Sequence, residues 1–385
     1  MQDPILIVGG GIAGMSTAIM LARGGIQVEL IESDAQWKVY GAGITITGPT
    51  YRAFDALGLL DELHSQGFGA RGGTRICTAT GDLISEVAGI PLREGLPPIG
   101  GIMRPKLHEI LSRCTLSSGV AVRLGLTYRE FKETAEGVQV TFTDGSQRRF
   151  RAVIVADGAF SKTRHVLFPD APKPHYTGQY CWRLVAERHR EIDRAYIYMG
   201  GAVYAGLVPT SETSMYLWLL ETRPEKFRVE AEDQYLALAA LMKPFDGLLG
   251  KLRDELSSDS VINCRPLDAI LLPRPWYRGR ILLIGDAAHS TTPHLASGAG
   301  IAVEDALMLS HLLSRQSTTI EQAFSQFMDR RWARCKDVVE SSVEIGALQQ
   351  SGASPAKYGA LIGAAESRLR VDIWDSASAS SVVNH

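Results

Sequence analysis

Gly9, Gly11 and Gly14 fall at a Gly-x-Gly-x-x-Gly spacing directly after the apolar run Ile5-Leu6-Ile7-Val8, and an acid, Glu32, closes the next apolar run. Each glycine suits a place where a side chain would intrude: a tight turn, a close approach to a diphosphate, and a helix–strand contact. A helix opening at Ile12-Ala13 would offer free N–H groups and partial positive charge to phosphates. Glu32, at the end of a second strand, would accept both hydroxyls of an adenosine ribose. A lone fingerprint of this kind is weak. Its place after a strand, before a helix and ahead of an acid strengthens it.

Far downstream, Gly279-Arg280-Ile281-Leu282-Leu283-Ile284-Gly285-Asp286-Ala287-Ala288-His289 leads through Pro293 to Gly298-Ala299-Gly300. Asp286, at the carboxyl end of an apolar run, can accept from polyol hydroxyls, cap the following turn, or do both. A helix Ile301–Leu313 after the glycines would aim its positive end at the pyrimidine ring of a flavin and favour the anionic reduced form. Glu304 and Asp305, in its expected first turn, fit ordinary capping. The first element holds one diphosphate and one ribose, and the second suits the remainder of a longer dinucleotide. Together they point to FAD rather than NAD alone, and so to redox chemistry. A third stretch, Val153-Ile154-Val155-Ala156, ends at Asp157-Gly158. That is either another turn beside a phosphate or a plain strand-to-helix turn.

The elements that must position these residues begin as a βαβ unit: a strand Ile5–Val8, a helix Ile12–Ala22 ended by Gly24-Gly25, and a strand Val28–Glu32. The spacing predicts one helix over Pro49–Leu63, with Gly58 its weak point, and a hairpin of Thr74–Ala79 with Leu83–Val87. Arg104-Pro105 opens a further helix. Alternating strands fill Tyr176 to Leu220, helices run from Glu230 to Leu256, and a last long helix covers Thr319–Gln349. Ser376–His385, small and polar, is expected to fray. The fold expected is α/β: a Rossmann-like FAD-binding domain with an inserted, mostly antiparallel β-sheet substrate domain and C-terminal helices. The FAD-binding domain would comprise 1–72, 99–174 and 265–325. The substrate domain would comprise a hairpin at 73–98 and the body at 175–264, leaving 326–385 as C-terminal helices and tail. Ligands would sit in the cleft between them. The C-terminal helices would pack on the FAD-binding domain or make a dimer contact.

Composition narrows the partners. At 385 residues and a net charge of −2, the chain carries no basic stripe or acidic tail, which argues against nucleic acid. Cys77, Cys114, Cys181, Cys264 and Cys335 are odd in number and lack CxxC spacing, as in a reduced cytoplasmic protein. The first strand is reached within a few residues of Met1, so an ordinary secretory leader is not expected, and no run of about 18 apolar residues suits a membrane span. Metal-ligand spacings and a Gly-x-Ser-x-Gly elbow are both missing.

Three blocks, Gly9–Gly14 with Glu32, Val153–Arg164 and Gly279–Asp305, carry a further likeness. From Ile5 to about Leu313 the chain resembles the single-component FAD-dependent aromatic hydroxylases (flavoprotein monooxygenases), the group of salicylate, hydroxybenzoate and urate hydroxylases. The resemblance implies that Asp157 and Gly158 contact the FAD diphosphate region and serve NADH or NADPH, with Ser161 and Arg164 at later polar positions. It implies that Arg104 binds FAD and that the backbone of Gly41-Ala42-Gly43-Ile44 lies along the isoalloxazine. Two departures stand out. Pro49-Thr50 replaces a frequent Pro-Asn, and Ala296-Ser297-Gly298-Ala299-Gly300 replaces the usual Gly-Gln-Gly, which changes the residues beside the pyrimidine ring.

The reaction so implied is hydroxylation of a small aromatic or heteroaromatic substrate through a flavin C4a-hydroperoxide, with O2 and NAD(P)H consumed and water excluded. The candidate substrate-side residues are Tyr204, Arg183, Tyr216 and His294. Arg183 could anchor a carboxylate, and His294 or His289 could move a proton. Tyr180 with Trp182 share one strand face, Gln179, Cys181 and Arg183 the other, while Tyr216 and Trp218 alternate likewise. One aromatic set is expected to floor the pocket. A flavin epoxidase or tailoring oxidoreductase on the same scaffold, or a non-catalytic flavin sensor, are the competing readings. The assembly expected is a monomer or homodimer.

Overall fold

The computed structural model describes residues 3–39, 41–201, 203–315 and 317–375. Ser376–His385 lies outside them.

The apolar run Ile5–Val8 forms the centre of a six-stranded sheet, in the order Tyr277–Arg278, Ile281–Leu283, Ala152–Val155, Ile5–Val8, Val28–Glu32, Ala121–Leu124. All neighbours run parallel except the edge strand Tyr277–Arg278. Ile5 pairs with Val28 on one side and Ala152 on the other, and Val153 pairs with Ile281. Stretches far apart in sequence thus form one surface. A strand with both faces covered needs apolar residues throughout, and Ile5, Leu6 and Ile7 are completely buried. The helices Ile12–Arg23 and Gly298–Leu313 pack together over this sheet, and the Ser310 hydroxyl donates to the Met20 carbonyl.

The second large sheet has seven strands: Ile262–Ala269, His175–Glu187, Ser214–Thr222, Val203–Pro209, Ala195–Gly200, Thr74–Thr78 and Leu83–Val87. Its pairings are antiparallel apart from Ala195–Gly200 beside Thr74–Thr78. Alternation sorts its faces. Tyr180, Trp182, Leu184, Leu217 and Leu219 point outward into a core with Leu238 and Leu249 from the two helices that cover that face and with Met242 and Phe245 from the turn between them. A small sheet, Gly43–Thr47, Ile99–Met103 and Phe68–Ala70, lies between the two large ones.

Two expected elements differ. The Pro49–Leu63 helix is two, Gly48–Ala56 and Leu60–Gln66, because Gly58 takes φ +73° and ends the first. The helix expected from Ile301 begins at Gly298, so Gly298, Ala299 and Gly300 form its first turn rather than precede it. The long helix Ile320–Gln350 is followed by another, Pro355–Arg370. Both pack back on the molecule: Gln350 Nε2 of the first donates to the Thr177 carbonyl of the seven-stranded sheet, and the Leu369 carbonyl of the second accepts from Arg52. No described helix is long and apolar enough to cross a membrane.

Candidate active site

Two glycines of the turn are required by the fold itself. Gly9 has φ +108°, and a Cβ there would strike the Ala156 carbonyl; at Gly14 it would strike the Gly9 carbonyl. Gly11, the exposed N-cap of the following helix, has open space where a side chain would stand, so no side chain of its own covers the helix's amino end. Glu32 sits beside this turn. Its Oε2 accepts from the Gly10 N–H at 2.7 Å, and Oε1 accepts from the Asp34 N–H at 2.8 Å and the Ser33 hydroxyl at 3.0 Å. Sequence reasoning missed Trp37, whose indole N–H donates to the Gly10 carbonyl at 2.9 Å and whose ring meets His108 edge-on at 5.8 Å. Trp37 has φ +47°, a conformation that no local spacing announces.

Asp157 follows the adjacent strand. Its Oδ2 accepts from the Thr163 hydroxyl at 2.8 Å, while Oδ1 is buried without a partner. Gly158, at φ +84°, leaves open space where a side chain would stand. Ser161 caps the next helix by accepting from the Arg164 N–H at 3.0 Å. Arg164 is fully buried and donates to the Ala159 and Ala287 carbonyls, both at 2.9 Å, which ties this turn to the one carrying Asp286.

Asp286 and Arg104 face each other across a cleft. Both side chains are open to water and neither makes a hydrogen bond or ion pair among the described residues. Partial desolvation by the cleft walls raises the Asp286 carboxyl pKa, with His289 and Arg104 opposing, and lowers that of Arg104. Arg183, half-buried and likewise unpaired, adds positive charge against Arg104. It shares the inner sheet face with its cross-strand neighbour Trp218 and with Tyr216. Gly206 lies under the Trp218 ring, where a Cβ would collide with it. The Tyr216 ring fills the space a side chain at Gly43 would need, and its hydroxyl bonds that of Thr45 at 2.5 Å. Gly43 and Ile44 pair with Met103 and Ile102, and the Arg104 N–H donates to the Ala42 carbonyl. The fold therefore gathers Gly43, Ile44, Arg104, Arg183, Tyr216 and Asp286 around one cleft. The aromatic set on this side is Tyr216 and Trp218; Tyr180 and Trp182 belong to the outer core.

Pro293–Leu295 forms a short 3-10 turn ending at Ala296, with φ +47°, and leads into the helix at Gly298. Gly300 lies against Thr50, and a Cβ there would come 2.5 Å from its hydroxyl. His294 faces the long helix. Its Nδ1 shares a 2.9 Å hydrogen bond with Thr292, its ring lies against Gly346, and burial lowers its pKa to about 4. Tyr204 packs edge-on against Tyr358 at 6.0 Å, in a cluster with Leu295 and Ile345. The C-terminal helices therefore wall the inner side of the sheet. Tyr358 was not found from sequence, because its helix shows only a sparse apolar stripe. His289, the other candidate histidine, is buried and hydrogen-bonded to Asp305.

This donor set fits a dinucleotide: bare helix N–H groups beside Gly11, an orphaned Asp157 oxygen, and an unpaired Arg104–Asp286 couple along one groove. The model of a family described as "FAD binding domain" matches residues 2–345. The chain belongs to that family. It is 30% identical over 355 residues to 2-heptyl-3-hydroxy-4(1H)-quinolone synthase of Pseudomonas aeruginosa, covering 90% of this chain and 89% of that one. It is 29% identical over 347 residues to the FAD-dependent urate hydroxylase of Klebsiella oxytoca, covering 87% of each. Among solved structures, HpxO of Klebsiella pneumoniae complexed with FAD and uric acid superposes with a TM-score of 0.80 at 25% identity, over 95% of this chain and 92% of that one. This chain is an FAD-dependent monooxygenase of the aromatic-hydroxylase type.

Proposed function

We propose that the enzyme uses NADH or NADPH to hydroxylate a small aromatic or heteroaromatic ring bearing a carboxylate or another hydrogen-bond acceptor. The observation that carries this reading is Arg183: a half-buried guanidinium without an ion pair among the described residues, on the sheet face that also bears Tyr216 and Trp218. A desolvated arginine favours a planar acceptor that it can grip with two N–H groups.

In this reading Gly9, Gly11, Ile12, Ala13 and Gly14 hold the FAD diphosphate at the helix start, Glu32 the ribose, and Asp157 and Gly158 the other side of the diphosphate. Arg104 and Asp286 would bind the cofactor between its ends, Gly43 and Ile44 would line its ring, and Pro293, Gly298, Ala299 and Gly300 would offer it the positive end of the helix dipole. Bound FAD, reduced by NAD(P)H, supplies the oxygen-transfer chemistry. The chain's own residues orient the substrate and exclude water. Tyr216 stays protonated, since burial pushes its phenol up to about 12, so it serves as a donor and not a base. Tyr204, with Tyr358 behind it, closes the pocket toward the C-terminal helices and is the remaining candidate for moving the substrate proton. His294, facing the long helix, steadies the turn at Pro293. The division of the chain at 72, 98, 174, 264 and 325 is part of the same proposal.

The test is NAD(P)H and O2 consumption by purified holoenzyme across phenols, aminobenzoates, pyridines, quinolones and purines, with product identification. Hydroxylated product from an acceptor-bearing ring is expected. Equal turnover of rings with and without an acceptor would overturn the role of Arg183, and no oxygenated product from any ring would overturn the substrate class.

A further inference from the structure

We infer that Asp305 is a positioning residue for the cofactor. It acts through the Gly285–Asp286 turn, and Arg331 and His289 fix its carboxylate. The inference rests on the reading above that Asp286 touches FAD.

The helix Gly298–Leu313 begins early enough that Asp305 lies about two turns in, too deep to cap it. Instead its carboxylate is entirely buried and fully used. Oδ2 accepts from the Gly285 N–H at 3.0 Å and shares a 2.6 Å hydrogen bond with His289 Nε2; Oδ1 accepts from Arg331 Nε at 2.8 Å. Gly285 adopts φ +58°, ψ −144°, a region other residues rarely enter. A Cβ there would come 2.7 Å from Ala13 in the first turn of the glycine-fingerprint helix. The turn that Asp305 holds from below thus touches both halves of the cofactor site, and its next residue, Asp286, opens into the cleft.

Arg331, from the long C-terminal helix, extends the same restraint. Its other nitrogens donate to Glu304 and to the Ile301 carbonyl, both at 2.9 Å. Burial opposes charge on His289, but Cys335 and the Asp305 carboxylate outweigh it and raise its pKa. His289, Asp305 and Cys335 offer ligand atoms within 4.8 Å of one another. Arg331 already places a guanidinium on Asp305, so the cluster is an ion network and not a cation cage. Buried ion networks of this kind add little stability over a well-packed apolar equivalent. What this one adds is fixed geometry at a glycine that could otherwise rotate.

The experiment reconstitutes apoprotein with FAD and reads the dissociation constant by flavin fluorescence for wild type, Asp305→Asn, Asp286→Asn and the double variant, with apoprotein melting curves alongside. Asp305→Asn is expected to weaken FAD about tenfold and shift the visible flavin band. In the Asp286→Asn background the same change should add less than about twofold, because both act through one contact. Unchanged affinity with a lowered melting temperature would make Asp305 purely structural and overturn the proposal. Full additivity would also overturn it, since Asp305 would then not act through Asp286. If Asp286→Asn alone leaves affinity unchanged, the assignment of Asp286 fails first and takes the proposal with it. Should Asp305→Asn not fold, His289→Gln keeps a donor to Asp305 but removes the cation; weaker FAD binding supports the proposal, and wild-type affinity overturns it.

Discussion

Burial against Gly346 holds the His294 imidazole near pKa 4, so at neutral pH it is a hydrogen-bonding group and not a cation. An imidazole that titrates near 6.5 unfolded and near 4 folded binds fewer protons in the native state between those values. Its contribution is complete above the unfolded pKa and is lost as pH falls through the folded one, about 3 kcal/mol in all. Replacing His294 with Asn is expected to flatten the decline in melting temperature between about pH 6.5 and 4. A wild-type profile already flat in that window would contradict the assignment. Gly43 makes a second residue-scale prediction. Gly43→Ala would drive a methyl into the Tyr216 ring, and a loss of at least about tenfold in kcat/KM is expected, because strand or tyrosine must move. Tyr216→Phe, which keeps the ring and loses only the bond to Thr45, should cost less, and steady-state kinetics with any accepted substrate ranks the two.

The helix Pro355–Arg370 is held mainly at its last turn. Arg334 donates to the carbonyls of Arg368, Leu369 and Val371 as well as to Glu304, and Arg52 donates to those of Leu369, Arg370 and Val371. Two guanidinium groups thus satisfy the carbonyls that a helix end leaves free. Arg334→Met leaves Glu304 with Arg331 as its remaining guanidinium partner and releases that helix end, so chemical denaturation should show a loss of about 1–3 kcal/mol. A loss within about 0.5 kcal/mol, the range of ordinary surface changes, would show that the latch is idle. This helix was illegible because its buried stripe is only Tyr358, Ala365 and Leu369, set among small and charged residues. The glycine turns were legible for the opposite reason: a required backbone shape at Gly9 or Gly14 leaves a fixed residue type behind. Ile99–Met103 carried almost no strand signal, since Gly100 and Gly101 have poor strand propensity. They are glycine because Tyr51, Phe68 and Pro209, distant in sequence, press on them.

At the scale of the whole molecule, the two large sheets followed from sequence through the buried runs Ile5–Val8 and Ile281–Ile284 and the alternation between Tyr176 and Leu220. What joined them did not. The inner and outer faces of the His175–Glu187 strand were separable by alternation, but which one met the cleft depended on where the helices Gln234–Leu241 and Gly247–Asp254 packed. The position of Asp305 against Gly285 depended in the same way on a helix starting at Gly298. The central strand Ile5–Val8 has one neighbour close behind it in the chain and the other at Ala152–Val155, which waits in turn for Ile281–Leu283. As the polypeptide emerges from the ribosome, the first half of the nucleotide cradle must therefore persist with an open flank until Ile281 has been made. Loop closure over such separations is slow, and exposed strand edges invite self-association. Nascent chains arrested just before Ile281 should fail to retain flavin and should bind holdase chaperones, whereas chains arrested past Gln350 and clear of the exit tunnel should turn yellow. Flavin retention by the shorter species would show that the early segment matures alone.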